Sequence, residues 1–151
     1  MFDIKYLDKD GHNQLAWQTS WGLTTRSIGV IVMVHADDVG LVLPPKVARY
    51  QVVIIPVLYK GKFEAEIEAK CKEIRDLLTA KDVRVNIDDR DVYTPGWKYN
   101  HWELKGVPLR MEMGPKDYEK QQIVVVKRNT GEKLQVSWKD LDIKVKKKRI
   151  F

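Results

Sequence analysis

QVVIIPVLYKGKFEAEIEAKCKEIRDLLTAKDVRVNI, residues Gln51–Ile87, is the stretch on which the fold turns. Gln51–Val57 is a nearly unbroken apolar run rich in valine and isoleucine. Such a run suits a strand covered on both faces, as in a parallel or mixed sheet. From about Lys62 to Ala80 the period changes: Phe63, Ile67, Cys71, Ile74 and Leu78 recur three or four residues apart with charges between them, which predicts an amphipathic helix. Val83–Ile87 returns to strand composition. Strand, helix and strand at these lengths make a crossover unit, because parallel neighbours cannot be joined by a tight turn.

Downstream of this unit, Pro95 is placed to start a second helix, where its missing amide costs little, and Gly106 to end it. Val107–Met113 reads as a third strand, Gly114-Pro115 as the opening of a short helix. Gln122–Lys127 and Lys133–Trp138 flank Asn129-Thr130-Gly131 as a hairpin, which adds antiparallel strands. The result is an α/β domain with a mixed sheet. Upstream, Phe2–Leu7 and Gln14–Gln18 flank the turn residues Asp8–Asn13, a second hairpin. Ser27–Met33 is so uniformly apolar and β-branched that pattern alone leaves buried strand and buried helix both open. Leu43-Pro44-Pro45 interrupts regular structure and marks the best domain boundary.

The chain has 151 residues, enough for one domain and a smaller second piece, and its 44% hydrophobic content supports a packed core. A net charge of +6 suits a polyanionic partner, and equally a basic soluble domain. With one cysteine, Cys71, neither a disulfide framework nor a thiolate zinc site is available, which fits a reducing compartment. Nothing reads as a leader or a membrane span, so a soluble intracellular protein is expected. Phosphate loops, dinucleotide fingerprints and nucleophile elbows are absent from the sequence. His12 and His101 lack ligand partners at helical spacing and read as structural or solvated. His35 with Asp37 and Asp38 suits a cation or, more simply, a helix end and polar loop. Arg90 among Asp88, Asp89 and Asp91 favours an ion pair over a metal.

Asp88–Asp117, DDRDVYTPGWKYNHWELKGVPLRMEMGPKD, concentrates tyrosines, tryptophans, arginines, lysines and carboxylates. Unpaired RNA bases are held by aromatic or guanidinium faces and identified by donors and acceptors at their rim, so this passage carries the chemistry of single-stranded RNA recognition. Trp97 and Trp102 read as packing the second helix onto the sheet.

TSWGLTTRSIG, Thr19–Gly29, followed by GLVLPP, Gly40–Pro45, resembles the third signature motif of class II aminoacyl-tRNA synthetases in its prolyl-tRNA synthetase form. The Asp88–Asp117 passage resembles the anticodon-binding domain of the same family in its eukaryote- and archaea-like branch, and the resemblance covers essentially the whole chain. It implies a C-terminal portion of such an enzyme: residues 1–43 a remnant of the catalytic domain, a β-hairpin and helix; 44–143 an anticodon-binding domain with a mixed five-stranded sheet flanked by helices; 144–151 a basic C-terminal linker whose run Lys144–Arg149 suits a solvated linker or a tRNA backbone contact. It also settles the open segment as the buried motif 3 helix, Thr25 to about His35, with burial overriding propensity.

The family's activity is ATP-dependent formation of prolyl-adenylate and transfer of proline to tRNA(Pro). By resemblance Arg26 is the catalytic and ATP-binding arginine, a planar cation able to stack on adenine and pair with phosphate. Ser20, Trp21 and Gly22 match the proline pocket; without the resemblance Trp21 reads as core. Tyr99, Glu103, Arg110, Lys116 and Asp117 match the anticodon contacts. Proline anticodons share two guanines; an arginine can donate to guanine O6 and N7, and a carboxylate can accept from its N1 and N2. Arg110 with Glu103 or Asp117 is the expected reader, Tyr99 a stacking face and Lys116 a phosphate contact. The plain alternative is that Glu103 and Arg110 merely pair with each other. The parent is expected to use ATP with Mg2+, to be a cytoplasmic homodimer and to avoid membranes; the portion alone is expected to be inactive, to bind no cofactor and mainly to supply tRNA anticodon binding. The rival is a non-catalytic RNA-binding or accessory protein reusing the fold, for which Ser20, Trp21, Gly22 and Arg26 together have no use.

Overall fold

A computed structural model of the chain describes residues 2–58 and 63–141; the basic run Lys144–Arg149 lies outside them. The chain divides into two compact units, Met1–Val30 and Ile31–Phe151.

In the first unit β1 (Lys5–Leu7) and β2 (Asn13–Leu15) form the expected antiparallel hairpin. Asp8 closes its turn, its Oδ1 accepting from the amides of Asp10 at 3.0 Å and His12 at 2.8 Å. α1 (Arg26–His35) follows and runs across the division between the units. The apolar run is therefore a helix, as expected, but none of its residues is buried, and Ile28, Met33 and Val34 are exposed. The expectation of a buried helix is corrected: its apolar residues fall on every side, so even a partner along one face would leave others exposed.

The second unit begins with a short antiparallel pair, β3 (Ala36–Asp37) and β4 (Gly40–Leu41). There follow β5 (Val52–Pro56), α2 (Glu64–Thr79), β6 (Val85–Ile87), α3 (Pro95–Leu104), β7 (Leu109–Met113), α4 (Pro115–Glu119), β8 (Gln122–Lys127) and β9 (Lys133–Ser137). The main sheet has five strands in the order β6-β5-β7-β8-β9. β5 is parallel to both neighbours, and the β7-β8 and β8-β9 pairs are antiparallel, so the sheet is mixed as expected. Every residue of β5 is buried, which explains its unbroken apolar composition.

The two faces of the sheet are covered by different helices. Val52, Ile54, Leu109, Met111, Met113, Ile123 and Val125 pack with Ile67, Cys71, Ile74 and Leu78 of α2. Completely burying such side chains contributes roughly 1.5–3 kcal/mol each. Burial pushes the Cys71 thiol up to about 12, with Glu68 adding to the shift. Phe63 is not part of this stripe: it precedes the first helical residue in a left-handed conformation, φ 54°, and packs on Tyr118 instead. On the opposite face Val53, Ile55, Trp102 and Val107 form a smaller cluster under α3, with Tyr50 and Tyr99 at its margin.

Strand alternation now fixes what matters for function. Since Leu109, Met111 and Met113 belong to the α2 face, Arg110 and Glu112 must point to the α3 face. Thr94 caps α3 by accepting from the Trp97 amide at 3.4 Å, with Pro95 in the first turn, and Gly106 at φ 70° follows its end. A Cβ on Gly40 would lie 2.5 Å from Leu104 Cα, and one on Gly106 would lie 2.6 Å from Leu41 Cβ. These two glycines let the β3-β4 pair lie directly on the end of α3.

Candidate nucleic-acid interface

Tyr99 and Glu103 stand four residues apart on α3 and so share a face, the one turned toward Arg110 of β7. The Arg110 Nε donates to Glu112 Oε1 at 2.8 Å, and its Nη1 donates to Glu103 Oε1. Its Cζ lies 4.5 Å from the centroid of the Tyr99 ring. Burial disfavours the Arg110 charge, but the bonds to Glu103 and Glu112 more than offset this and raise its pKa above the usual value. The pairing of Glu103 with Arg110 is thus present, but half-buried and with a third member, Glu112, that was not among the expected contacts. The period-two alternation of a strand was the signal for Glu112, which lies two residues beyond Arg110.

Two carboxylates facing one guanidinium leave the cluster formally at −1, rich in acceptors. Nη2 of Arg110 has no hydrogen bond among the described residues. Of the five N–H groups of Arg110 two are engaged, so one on Nη1 and two on Nη2 remain as donors to a base edge without displacing either carboxylate.

Beyond Glu112, a cleft of about 640 Å³ opens where β5 and β7 end, lined by Val57, Tyr99, Glu112, Gly114, Lys116 and Asp117 among others. The carboxyl ends of parallel strands are where open α/β sheets place ligands. Lys116 presents an exposed ammonium there. Both oxygens of Asp117 are already engaged: Oδ2 accepts from the Gly114 amide at 3.3 Å and Oδ1 from Gln122 Nε2 at 3.1 Å. Of the five expected anticodon residues, Tyr99, Lys116 and Asp117 line this cleft. Arg110 and Glu103 line a neighbouring hollow of about 330 Å³ together with Asp37 and Arg128. The Arg110–Glu112 bond joins the two spaces.

Asp88, at the end of β6, anchors the start of this region. It accepts from Arg90 Nε at 2.8 Å and Nη2 at 2.7 Å, and from Trp102 Nε1 at 2.7 Å, while Lys98 Nζ donates to its carbonyl at 3.1 Å. Burial alone would raise the Asp88 pKa, but the bonds from Arg90 and Trp102 prevail and bring it to about 2. The ion-pair reading of this cluster holds, and Trp102 packs on the sheet as expected. Trp97 does not. It is 41% exposed and stacked between Tyr93, at 3.8 Å and 11°, and His101, at 4.7 Å and 18°. The His101 pKa is lowered, first by burial and then by Lys105 and Arg90. Asp37 forms two bonds with Arg128, at 2.6 and 2.7 Å, that hold its carboxyl well below the usual range. No cluster of carboxylates, histidines and cysteine suited to a metal occurs among the described residues.

In the first unit Ser20, Trp21 and Gly22 lie in an irregular exposed segment, and Arg26 opens α1 with its side chain exposed. A Cβ on Gly22 would meet nothing within 4 Å, and Trp21 is 93% exposed. This unit by itself builds no wall around a proline-sized ligand at these residues.

The mixed sheet, the cleft at its strand ends and the stacked, charged lining define an α/β ligand-binding domain. The family model described as "Anticodon binding domain" matches residues 51–148, and the chain belongs to that family. It is 53% identical over 141 residues to the bifunctional glutamate/proline--tRNA ligase of Mus musculus, covering 91% of this chain and 9% of that protein. It is 49% identical over 142 residues to the proline--tRNA ligase of Natranaerobius thermophilus, covering 93% of this chain and 29% of that protein. Among solved structures, prolyl-tRNA synthetase from Cryptosporidium parvum complexed with L-proline and AMP matches with a TM-score of 0.84 at 50% identity, over 97% of this chain and 32% of that one. The chain thus spans a third or less of these relatives. No helix among the described residues is long and apolar enough to cross a membrane.

Proposed function

We propose that the second unit reads the guanines of a proline tRNA anticodon, and that the whole protein is a proline-tRNA ligase. The observation that carries the reading is the Glu103–Arg110–Glu112 cluster, with its arginine against Tyr99, at the border of the strand-end cleft. Arg110 Nη2 meets O6 or N7 of a guanine, and the carboxylate oxygens of Glu103 or Glu112 accept from its N1 and N2. Adenine offers a donor where guanine has O6 and lacks the N2 donor. Tyr99 stacks, Lys116 neutralises a backbone phosphate, and Asp117 keeps the Gly114–Gln122 turn in shape while presenting acceptors to the cleft.

Residues 44–143 serve as the anticodon-binding part and residues 1–43 belong to the catalytic part. In the latter, Arg26 stacks on adenine and pairs with the phosphates of ATP, and Ser20, Trp21 and Gly22 border the proline site. An exposed guanidinium with no ion pair among the described residues fits that role. ATP would supply the adenylyl group to the proline carboxylate, with pyrophosphate leaving, and Mg2+ would neutralise its phosphates. The ligase names of the relatives support this reading over a non-catalytic accessory protein. A cytoplasmic homodimer is the form proposed for the whole protein.

The test is fluorescence anisotropy with two RNA stem-loops that differ only in the anticodon, NGG against NAA, at one salt concentration. The NGG loop is expected to bind roughly tenfold or more tightly, about 1–3 kcal/mol per base read, and Glu103→Gln to narrow the gap. Equal affinities for both loops would remove the base-reading claim.

A further inference from the structure

A second basic site lies at the opposite ends of the strands, away from the cleft. It is a hollow of about 230 Å³ bordered by Ala48, Arg49, Tyr50, Trp102, Lys105 and Val107, and no acidic residue lines it. Tyr50 lies two residues before β5 and Val107 two residues before β7, which places the hollow where those strands begin. The Arg49 Cζ lies 5.3 Å from the Tyr50 ring, the Lys105 Nζ lies 5.0 Å from the Trp102 ring, and the two rings meet edge to face at 6.1 Å.

The cations of this hollow are not neutralised. In this they resemble Lys116 of the strand-end cleft and differ from Arg110, Arg128 and Lys127, which line other hollows but are paired with Glu103 and Glu112, with Asp37 and with Glu132. Arg49 and Lys105 are exposed and in no ion pair among the described residues. Two uncompensated charges over an apolar and aromatic floor match a sugar-phosphate unit, the ribose on the floor and the phosphate between the cations. Lys105 lies six residues along α3 from Tyr99, roughly 9 Å at 1.5 Å per residue. One RNA can therefore reach both places.

We propose that Arg49 and Lys105 form a phosphodiester-binding site for the backbone of the RNA whose bases are read in the strand-end cleft. The proposal rests on the RNA-binding reading above, but it concerns affinity and not base identity. Phosphate contacts position a nucleic acid and carry the salt dependence of its binding, while base contacts carry specificity.

The experiment measures anisotropy of the NGG and NAA stem-loops on the full chain and on Arg49→Gln/Lys105→Gln over a salt series. Each lost phosphate contact lowers the slope of log affinity against log salt by about 1, so a decrease of about 2 is expected, with an affinity loss of roughly tenfold near ~0.1 M salt. The ratio between the two loops should stay the same. Arg49→Lys/Lys105→Arg, which keeps both charges, should retain the slope; loss of slope in that variant as well would assign the effect to ring packing and overturn the proposal. An unchanged slope and affinity in the glutamine variant would also overturn it. Should the slope fall while the unmodified chain shows no NGG preference, the phosphate site stands and the base-reading proposal falls. If neither loop binds the unmodified chain, both fall.

Discussion

Arg110 shows why a charged pair in a fold interior is better judged by what its removal leaves behind. Arg110→Ala would leave Glu103 and Glu112 facing each other in a partly buried place with no counter-charge. It should therefore destabilise the second unit by roughly 1–3 kcal/mol, measured as the shift in urea unfolding. Adding Glu103→Gln and Glu112→Gln to that variant should recover part of the loss, because the uncompensated charge is what costs most. Asp88 makes the complementary case in acid. Its folded pKa of about 2 is below the usual 3.8, so its contribution to stability is complete above about pH 4 and is lost as pH falls toward 2. In Asp88→Asn, unfolding midpoints measured from pH 5 to pH 2 should lose this component of the slope. The two tryptophans of α3 mark where single residues stop being legible. Trp97 and Trp102 are five positions apart, about 140° around a helix at 3.6 residues per turn, so they could not both face the sheet. Trp97 instead continues the line of Tyr93 and His101, each four residues away.

Elements with a clear period were readable at once, and those without one were not. The spacing of Ile67, Cys71, Ile74 and Leu78 located α2 and its buried face, and the fully apolar β5 announced a central strand. The short pair β3-β4 left no such mark: its place depends on two glycines that admit close backbone approach, Gly40 and Gly106. For α1 composition was silent between two structures, and resemblance to a family supplied the answer. It could not supply burial, which depends on what surrounds the helix. α1 has ten residues, fewer than the roughly 12–15 an isolated helix needs to persist in water, and no buried side chain to hold it. Its amides should therefore exchange with deuterium orders of magnitude faster than those of β5, as hydrogen-exchange mass spectrometry or NMR would record. Equal protection would mean that α1 is covered in solution, by a second copy or another segment.

At the scale of the molecule, two local rules give most strand directions: the helix crossovers through α2 and α3 return the chain parallel, and the β8-β9 hairpin returns it antiparallel, while the antiparallel β7-β8 pair, joined through the short α4, falls outside them. That much was legible because turn chemistry and helix length are local. The partition of charge was not, because Asp37 and Arg128, 91 residues apart, meet only once the sheet has formed. The net charge of +6 says nothing about where free cations remain after such pairings. The single thiol of the chain offers a way to follow this assembly as a whole. Cys71 is 1% exposed beneath α2, and its high pKa leaves almost no thiolate at neutral pH. A thiol-reactive dye should label it no faster than α2 lifts from the sheet, on the timescale of global unfolding in denaturant. The protein therefore carries a natural clock for the opening of its core, one that needs no engineered label and can be read with and without RNA to time how long the closed domain lasts.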